Sequence, residues 1–232
     1  LRPLRPSAQP PTTARPACGR LVAMFHAIYD RLFAALYDIV MGRSERAGLR
    51  ERRAELLAGA SGDVLEIGAG SGANADFYDP LYDSLTLSEP SDPMADKLED
   101  TLRKKGVRAA LIRAGAESMP LDDQSMDTVI SALVLCTVPD VNASLAEIHR
   151  VLRPGGRLLF LEHVRAADPK KARWQDRFAK PWEIFANGCR CNRDTEAAIR
   201  GAGFEITTID RGETPKAPPI VRPLIWGEAV RA

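Results

Sequence analysis

Three glycines lie within five positions in the segment DVLEIGAGSGAN, residues 63–74, directly behind an apolar run. Glycine costs conformational entropy, so Gly68, Gly70 and Gly72 indicate a turn with positive φ or a ligand that lies against bare backbone. A strand that ends in a glycine-rich turn and opens a helix is a typical site for a nucleotide-like ligand, because its free N–H groups face that ligand.

The spacing of the glycines narrows the class of ligand. The cluster is G-A-G-S-G rather than G-x-G-x-x-G, and no G-K-[ST] follows it, which excludes a phosphate-cradling P-loop. Without a pyrophosphate, the candidate ligand is a nucleoside that carries an amino acid. Glu89 follows Gly68 by about 20 positions, at the end of the second predicted strand, where a carboxylate would accept hydrogen bonds from both ribose hydroxyls.

The elements that must position these residues alternate between strand and helix. Five strands are predicted at residues 64–67, 85–88, 108–113, 128–133 and 157–164, and helices at 73–78, 92–105 and 142–152. Two further strands, 204–210 and 220–230, are joined by a turn-rich loop and should run antiparallel. We therefore predict an α/β fold: a Rossmann-like, seven-stranded, mostly parallel sheet with helices on both faces and an antiparallel strand near the C-terminus.

Composition divides the chain into three regions. Residues 1–19 are rich in proline and are predicted to be a disordered tail. Residues 20–60 carry an apolar pattern of helical period and then a polar helix, SERAGLRERRAELLA, and are predicted to cap the domain of residues 61–232. The first helix has only a weakly polar second face, so its alternatives are simple docking on the domain, a lid over an apolar pocket, and a peripheral contact with a membrane.

Charge and cysteine content limit the classes of partner. Lys+Arg is 32 against Asp+Glu 31, a net charge of +1, which gives no reason to expect a nucleic-acid groove. No uncharged apolar run reaches about 18 residues, so no transmembrane helix is predicted. The four cysteines lack zinc-binding spacing, and we expect reduced thiols, no metal site and a cytoplasmic location.

Four motifs carry a resemblance to a known family. VLEIGAGSGAN, LTLSEPSDPM, AGAESMPLDDQSMDTVISALVLCTV and EIHRVLRPGGRLLFLEH resemble, in order and spacing, the motifs of class I S-adenosylmethionine-dependent methyltransferases. The resemblance implies S-adenosylmethionine as the cofactor and S-adenosylhomocysteine as the product. The cofactor-binding residues that it implies are Glu66, Gly68, Ala69, Gly70, Asn74, Glu89, Pro90, Met94, Ala116, Glu117 and Leu133.

Each of these residues has an implied role. Glu66 and Asn74 would face the methionine end of the cofactor, and Glu89 would hold the ribose hydroxyls. Pro90, Met94, Ala116 and Glu117 would frame the adenine, and Leu133 would lie beside the methionine portion. Many relatives carry Asp before the position of Ala116, where this chain has Gly115, which removes one side-chain contact to the adenine amino group.

A narrower resemblance concerns the methyl acceptor. ALVLCTVPD, LEHV, NGCRCNRDT and VRPLIWGEAV resemble a methyltransferase-like subfamily that includes animal alkyl-thiol S-methyltransferases. It implies methyl transfer to a small, fairly apolar acceptor, with a thiol as the leading hypothesis. The alternatives are O-, N- or C-methylation of a small molecule, and a non-catalytic cofactor-binding scaffold. The sequence leaves the oligomeric state open.

The need for a base separates these acceptors. A thiol ionises near pH 8.5 and can react without a dedicated base, whereas an alcohol or phenol needs one. His163 follows the fifth strand at the carboxyl edge of the sheet and is the candidate catalytic residue. The alternative for His163 is a structural histidine. Cys136 is predicted to be a small buried residue, and Cys189 a neighbour of the acceptor pocket.

Overall fold

Seven strands form one sheet in the computed structural model, which describes residues 17–232 and the side chains from residue 28 onward. The strands are β1 (Asp63–Ile67), β2 (Ser84–Ser88), β3 (Ala110–Ile112), β4 (Met126–Ala132), β5 (Leu152–His163), β6 (Phe204–Glu213) and β7 (Pro223–Arg231). Their order is β3-β2-β1-β4-β5-β7-β6. Strand β7 runs antiparallel to both of its neighbours, β5 and β6, and all other neighbouring pairs are parallel. The predicted fold class is confirmed.

Six α-helices accompany the sheet within residues 17–232. They are α1 (Ala17–Ser44), α2 (Arg50–Leu57), α3 (Asp92–Lys105), α4 (Val141–Val151), α5 (Pro169–Phe185) and α6 (Thr195–Gly201). Residues 1–16, most of the predicted tail, lie outside the described residues. No helix in residues 17–232 has the length and apolar character needed to cross a membrane.

Two predicted helices differ from the structure. Residues 73–78 form successive turns rather than a helix, since their bonds run from Ala75 N–H to the Gly72 carbonyl and from Phe77 N–H to the Asn74 carbonyl, three residues back. The polar helix predicted at 44–58 is interrupted at Gly48, whose φ of 123° is not helical. Residues Glu45–Leu49 therefore form a wide turn, and α2 begins after it. Neither departure alters the order of the strands.

The sheet is buried on both faces, which explains why its central strands are nearly continuous apolar runs. Leu65, Val129 and Phe160 belong to the core on the side of α4 and α6. Val64, Ile130, Leu159 and Leu161 belong to the core on the side of α2. Strand order reverses between β1 and β4, and in open α/β sheets ligands bind outside the carboxyl ends of the strands at such a reversal.

Helix α1 passes along this carboxyl edge. Tyr29 donates its hydroxyl to the carbonyls of Ile184 and Phe185, at 3.0 and 2.7 Å, at the end of α5. Two turns of helix later, Asp38 accepts from the Ser71 hydroxyl at 2.6 Å and from Lys97 on α3 at 2.7 Å. The helix therefore joins the end of α5 to the glycine-rich turn.

Asp140 begins α4, and its carboxylate accepts from the N–H groups of Asn142 and Ala143 at 2.9 and 3.0 Å. We expect D140A to lower the free energy of unfolding by about 1 kcal/mol, because two N–H groups of the first helical turn lose their acceptor. D140N keeps an acceptor oxygen and should cost less than about half as much. Urea denaturation measures both, and equal losses would contradict a capping role.

Candidate active site

The glycine-rich turn follows directly from the end of β1. Gly68 and Gly70 have φ values of 55° and 58°, a left-handed conformation that only glycine adopts readily. A Cβ on Gly68 would lie 2.7 Å from a methyl group of Val134, whereas a Cβ on Gly70 would meet no atom closer than 4.0 Å. The absence of a side chain at Gly68 thus lets the loop that carries Val134 pack against the turn, and the absence of one at Gly70 leaves open space above the turn.

The structure brings Glu89 to this turn, as the sequence implied. Its carboxylate accepts from the N–H of Gly70 at 2.9 Å and from the N–H of Ser91 at 2.8 Å, and the side chain is buried. Burial raises the pKa of Glu89, while the two N–H bonds oppose that rise. Each carboxylate oxygen can still accept a second hydrogen bond, so a diol beside Gly70 would find an oriented acceptor.

Glu66 lies at the centre of a buried network. It accepts from the Asn74 amide at 3.0 Å and from the Tyr78 hydroxyl at 2.7 Å, and burial raises its pKa. Arg53 of α2 donates to the Asn74 side-chain oxygen at 3.1 Å and to Glu45 at 3.0 Å. The network therefore connects the helical region before β1 with the turn that follows it.

The other residues implied by the resemblance lie along the same carboxyl edge. Met94 and Ala116 are buried, Pro90 is exposed, and Glu117 accepts from the N–H of Asp140 at 3.3 Å. Leu133 has a φ of 66°, rare for a residue with a side chain, and its N–H donates to the Leu161 carbonyl at 2.7 Å. Ala69 is buried and is fixed to β2 by an N–H bond to the Ser88 carbonyl at 2.9 Å.

Glu162, the residue before His163, organises the loop after β4. Its fully buried carboxylate accepts from the Ser131 hydroxyl at 2.7 Å and from three successive backbone N–H groups. The donors are Val134, Leu135 and Cys136, at 3.1, 3.0 and 3.0 Å. A carboxylate with four donors is a structural anchor rather than a free base.

The predicted catalytic residue, His163, faces two sulfur atoms. Its Nδ1 lies 3.9 Å from Cys136 Sγ and 4.0 Å from Cys189 Sγ, and all three residues are buried. Cys189 reaches this place because Gly188, with a φ of 97°, lets its loop lie against the Thr137 carbonyl. We call Cys136, His163 and Cys189 the sulfur–imidazole cluster.

Sequence reasoning missed this cluster, Arg53, Tyr78 and also Tyr37. Burial raises the pKa of the Tyr37 phenol on α1 to about 12, and Arg53, Glu45 and Cys136 lie close enough to influence it. In the sequence, Tyr37 could have been recognised as a site residue only from the helical period of α1. That period predicts an ordinary apolar residue at the same position equally well.

Comparison with known proteins agrees with this geometry. The model of a methyltransferase domain family matches residues 65–160, which run from β1 into β5. Human thiol S-methyltransferase TMT1B is 32% identical over 225 residues, covering 91% of each chain. The ubiquinone/menaquinone biosynthesis C-methyltransferase UbiE of Shewanella halifaxensis is 31% identical, covering 69% of this chain and 70% of that protein.

The chain belongs to the class I S-adenosylmethionine-dependent methyltransferases. Within them it is similar over most of its length to the subfamily that includes the thiol S-methyltransferases. A SAM-dependent methyltransferase from Thermotoga maritima has the same fold, with a TM-score of 0.65 at 23% identity, over 90% of this chain and all of that one. The predictions of an enzyme and of S-adenosylmethionine as its cofactor are confirmed.

The residues at the turn fit this cofactor. Open space above Gly70, an oriented carboxylate at Glu89 and the buried polar network of Glu66 are features that a nucleoside with an amino-acid tail requires. When bound, the cofactor supplies an electrophilic methyl group on a sulfonium centre, and the protein supplies alignment and exclusion of water.

Arg53 and Arg50 provide a matched pair for testing the network. We expect R53A to lower the free energy of unfolding by about 2–3 kcal/mol, because loss of the buried guanidinium removes the donor to the Glu45 carboxylate and to the side-chain oxygen of Asn74. Arg50 pairs with Asp76 at the surface, and R50A should cost less than about 1 kcal/mol. Urea denaturation measures the free energy of unfolding of both variants. Similar losses of stability in R53A and R50A would show that the buried network contributes no more than a surface ion pair.

Proposed function

We propose that this methyltransferase transfers a methyl group to the sulfur of a small, fairly apolar thiol. The similarity to human thiol S-methyltransferase TMT1B supports the proposal, because it covers 91% of both chains and extends well beyond the domain common to many methyltransferases. The chemistry of the carboxyl edge supports it independently.

The observation that carries the proposal is the scarcity of bases where the acceptor must lie. Among the described residues, Glu162 and Glu66 accept hydrogen bonds from protein donors, and His163 faces two sulfur atoms. A raised pKa of about 12 keeps the Tyr37 phenol protonated. Among the described residues an alcohol would find only the unpartnered Nε2 of the buried His163 as a base, whereas a thiol with a pKa near 8.5 supplies its own thiolate.

The surroundings of His163 also suit an apolar acceptor. Cys136 and Cys189 pack with Ile220 and Val221 in a small apolar core, and Trp182 of α5 lies against it. Apolar walls exclude water and favour a desolvated sulfur nucleophile, which reacts faster with a sulfonium than a hydrated one does.

We propose that the cofactor lies over the glycine-rich turn. Glu89 holds the ribose hydroxyls, and the backbone at Gly68, Ala69 and Gly70 lies against the ligand. The methionine end reaches Glu66 and Asn74, and Leu133 lies beside it. The adenine is framed by four residues, namely Pro90, Met94, Ala116 and Glu117.

We propose that residues 20–60 act as a cover for this site. The bonds from Asp38 to Ser71 and Lys97 fasten α1 above the glycine-rich turn, and Arg53 connects α2 to Asn74. Tyr29 fastens the other end to α5. The acceptor would therefore be enclosed between α1, α5 and the carboxyl ends of β4 and β5.

The proposal is tested with labelled S-adenosylmethionine and two small acceptors that differ in the acceptor atom, propanethiol and phenol. We expect a methyl thioether and no methyl ether. Below the acceptor pKa the rate should rise about tenfold per pH unit, as the thiolate fraction does. The rise should shift to lower pH for a more acidic thiol, since the proton that is lost belongs to the bound acceptor. Turnover of phenol alone, or of a carbon nucleophile alone, would overturn the thiol assignment.

Glu89 tests the placement of the cofactor. We expect E89A to weaken binding of S-adenosylmethionine about 10- to 150-fold, or about 1.5–3 kcal/mol, because the ribose hydroxyls lose a charged acceptor. The control is E99A, which removes an exposed carboxylate of α3 that pairs with Arg113 and should leave affinity unchanged. Calorimetry measures both, and thermal unfolding without ligand checks that E89A is folded. Unchanged affinity in folded E89A would place the ribose elsewhere.

A further inference from the structure

The sulfur–imidazole cluster has the composition of a metal site. Cys136 lies in the loop after β4, His163 ends β5, and Cys189 lies in the loop after α5. One ligand atom from each lies within 4.8 Å of the other two. The exposed fractions of the three residues are only 1%, 8% and 7%, so the cluster is enclosed.

The distances are close to those that zinc imposes. Zinc binds cysteine sulfur at about 2.3 Å and histidine nitrogen at about 2.0–2.1 Å, so tetrahedral geometry places sulfur and nitrogen about 3.6 Å apart. The two sulfur–nitrogen distances here are 3.9 and 4.0 Å. Movements of a few tenths of an ångström would bring the two sulfur–nitrogen distances to the value that zinc imposes.

The state of His163 independently indicates a ligand. Its Nε2 is buried and has no hydrogen-bond partner among the residues that the structure describes. Its Nδ1 has only the long contacts to sulfur. Coordination through Nδ1 would replace the two long contacts to sulfur, while the buried Nε2 would need a partner of its own, which the ion does not supply.

The backbone around the cluster is fixed before any ion binds. Glu162 accepts from the N–H of Cys136, and the Cys136 carbonyl accepts from the N–H of Arg190 at 2.7 Å. Arg193 donates to the carbonyls of Leu135 and Val138 on either side. Two loops are thereby held against each other, and such support is what a metal site requires.

We propose that Cys136, His163 and Cys189 bind one Zn²⁺ ion, and that the sulfur of the acceptor thiol is its fourth ligand. Binding of the ion releases one proton from each cysteine, so the ion and two thiolates are together neutral. A three-ligand zinc site keeps an open position, and a thiol that fills it loses its proton to solvent. The second half of this inference rests on the proposed function, while the first half does not.

The first test is metal content. We expect about one zinc ion per chain in the intact protein after purification without added chelator, and less than about a tenth of that in C189A. The control is C191A, which removes a buried cysteine two positions away that is outside the cluster. C191A should keep its zinc. Zinc loss that is equal in both variants, or a wild-type chain that binds no zinc when Zn²⁺ is added, would overturn the site.

The second test needs no variant. The zinc is replaced by Co²⁺, and thiolate-to-cobalt absorption in the near ultraviolet is recorded before and after addition of propanethiol. We expect an intense band that propanethiol alters and phenol leaves unchanged. Absence of the band, or a protein mass lower by two hydrogens from a Cys136–Cys189 disulfide, would overturn the metal site. A band that propanethiol leaves unchanged would overturn acceptor binding at the metal, while product formation from propanethiol tests the proposed function separately.

Discussion

The carboxylate of Glu162 is the interaction on which the arrangement of the site depends. A fully buried carboxylate is costly unless donors surround it, and here one hydroxyl and three consecutive N–H groups do so. Hydrogen bonds to a charged group contribute about 1.5–3 kcal/mol each, more than bonds between neutral groups. The loop after β4 therefore has one well-defined conformation, although it contains no helix or strand.

That conformation connects the two halves of the site. Val134 is held by Glu162, and its methyl groups occupy the space where a side chain at Gly68 would lie. The glycine-rich turn after β1 and the loop after β4 thus pack directly on each other. Cys136, two residues further along, is held by the same carboxylate and faces His163. A displacement of Glu162 would therefore be transmitted to the cofactor turn and to the sulfur–imidazole cluster together.

Features that depend on neighbouring residues were predictable from the sequence, and those that depend on register were not. The limits of α3, its final Gly106 and the strand–turn geometry at Gly68 follow from local propensity. The sulfur–imidazole cluster requires the parallel register in which Ala132 pairs with Leu161, together with the close approach at Gly188.

Arg53 lies in a strongly polar helix, where an exposed guanidinium is the ordinary expectation, and only its burial against Asn74 distinguishes it. The short helix expected at 73–78 is absent because Asn74 uses its side chain in the Glu66 network and the chain there turns every three residues.

The strengths of these contacts suggest which part of the site moves. The central strands and Glu162 are buried, and to separate them would expose the core. The described part of α1 is fastened differently, through Tyr29 at one end and an exposed Asp38–Lys97 pair at the other. Exposed ion pairs contribute about 0–1 kcal/mol each, and the described part of α1 buries few side chains, Ala34 and in part Tyr37 among them, so detachment of α1 costs less than opening of the sheet. On the placement proposed above, the cofactor lies beneath α1 and must enter and leave on every turnover, and polar contacts at both ends of the helix allow that exchange while the loop after β4 stays fixed.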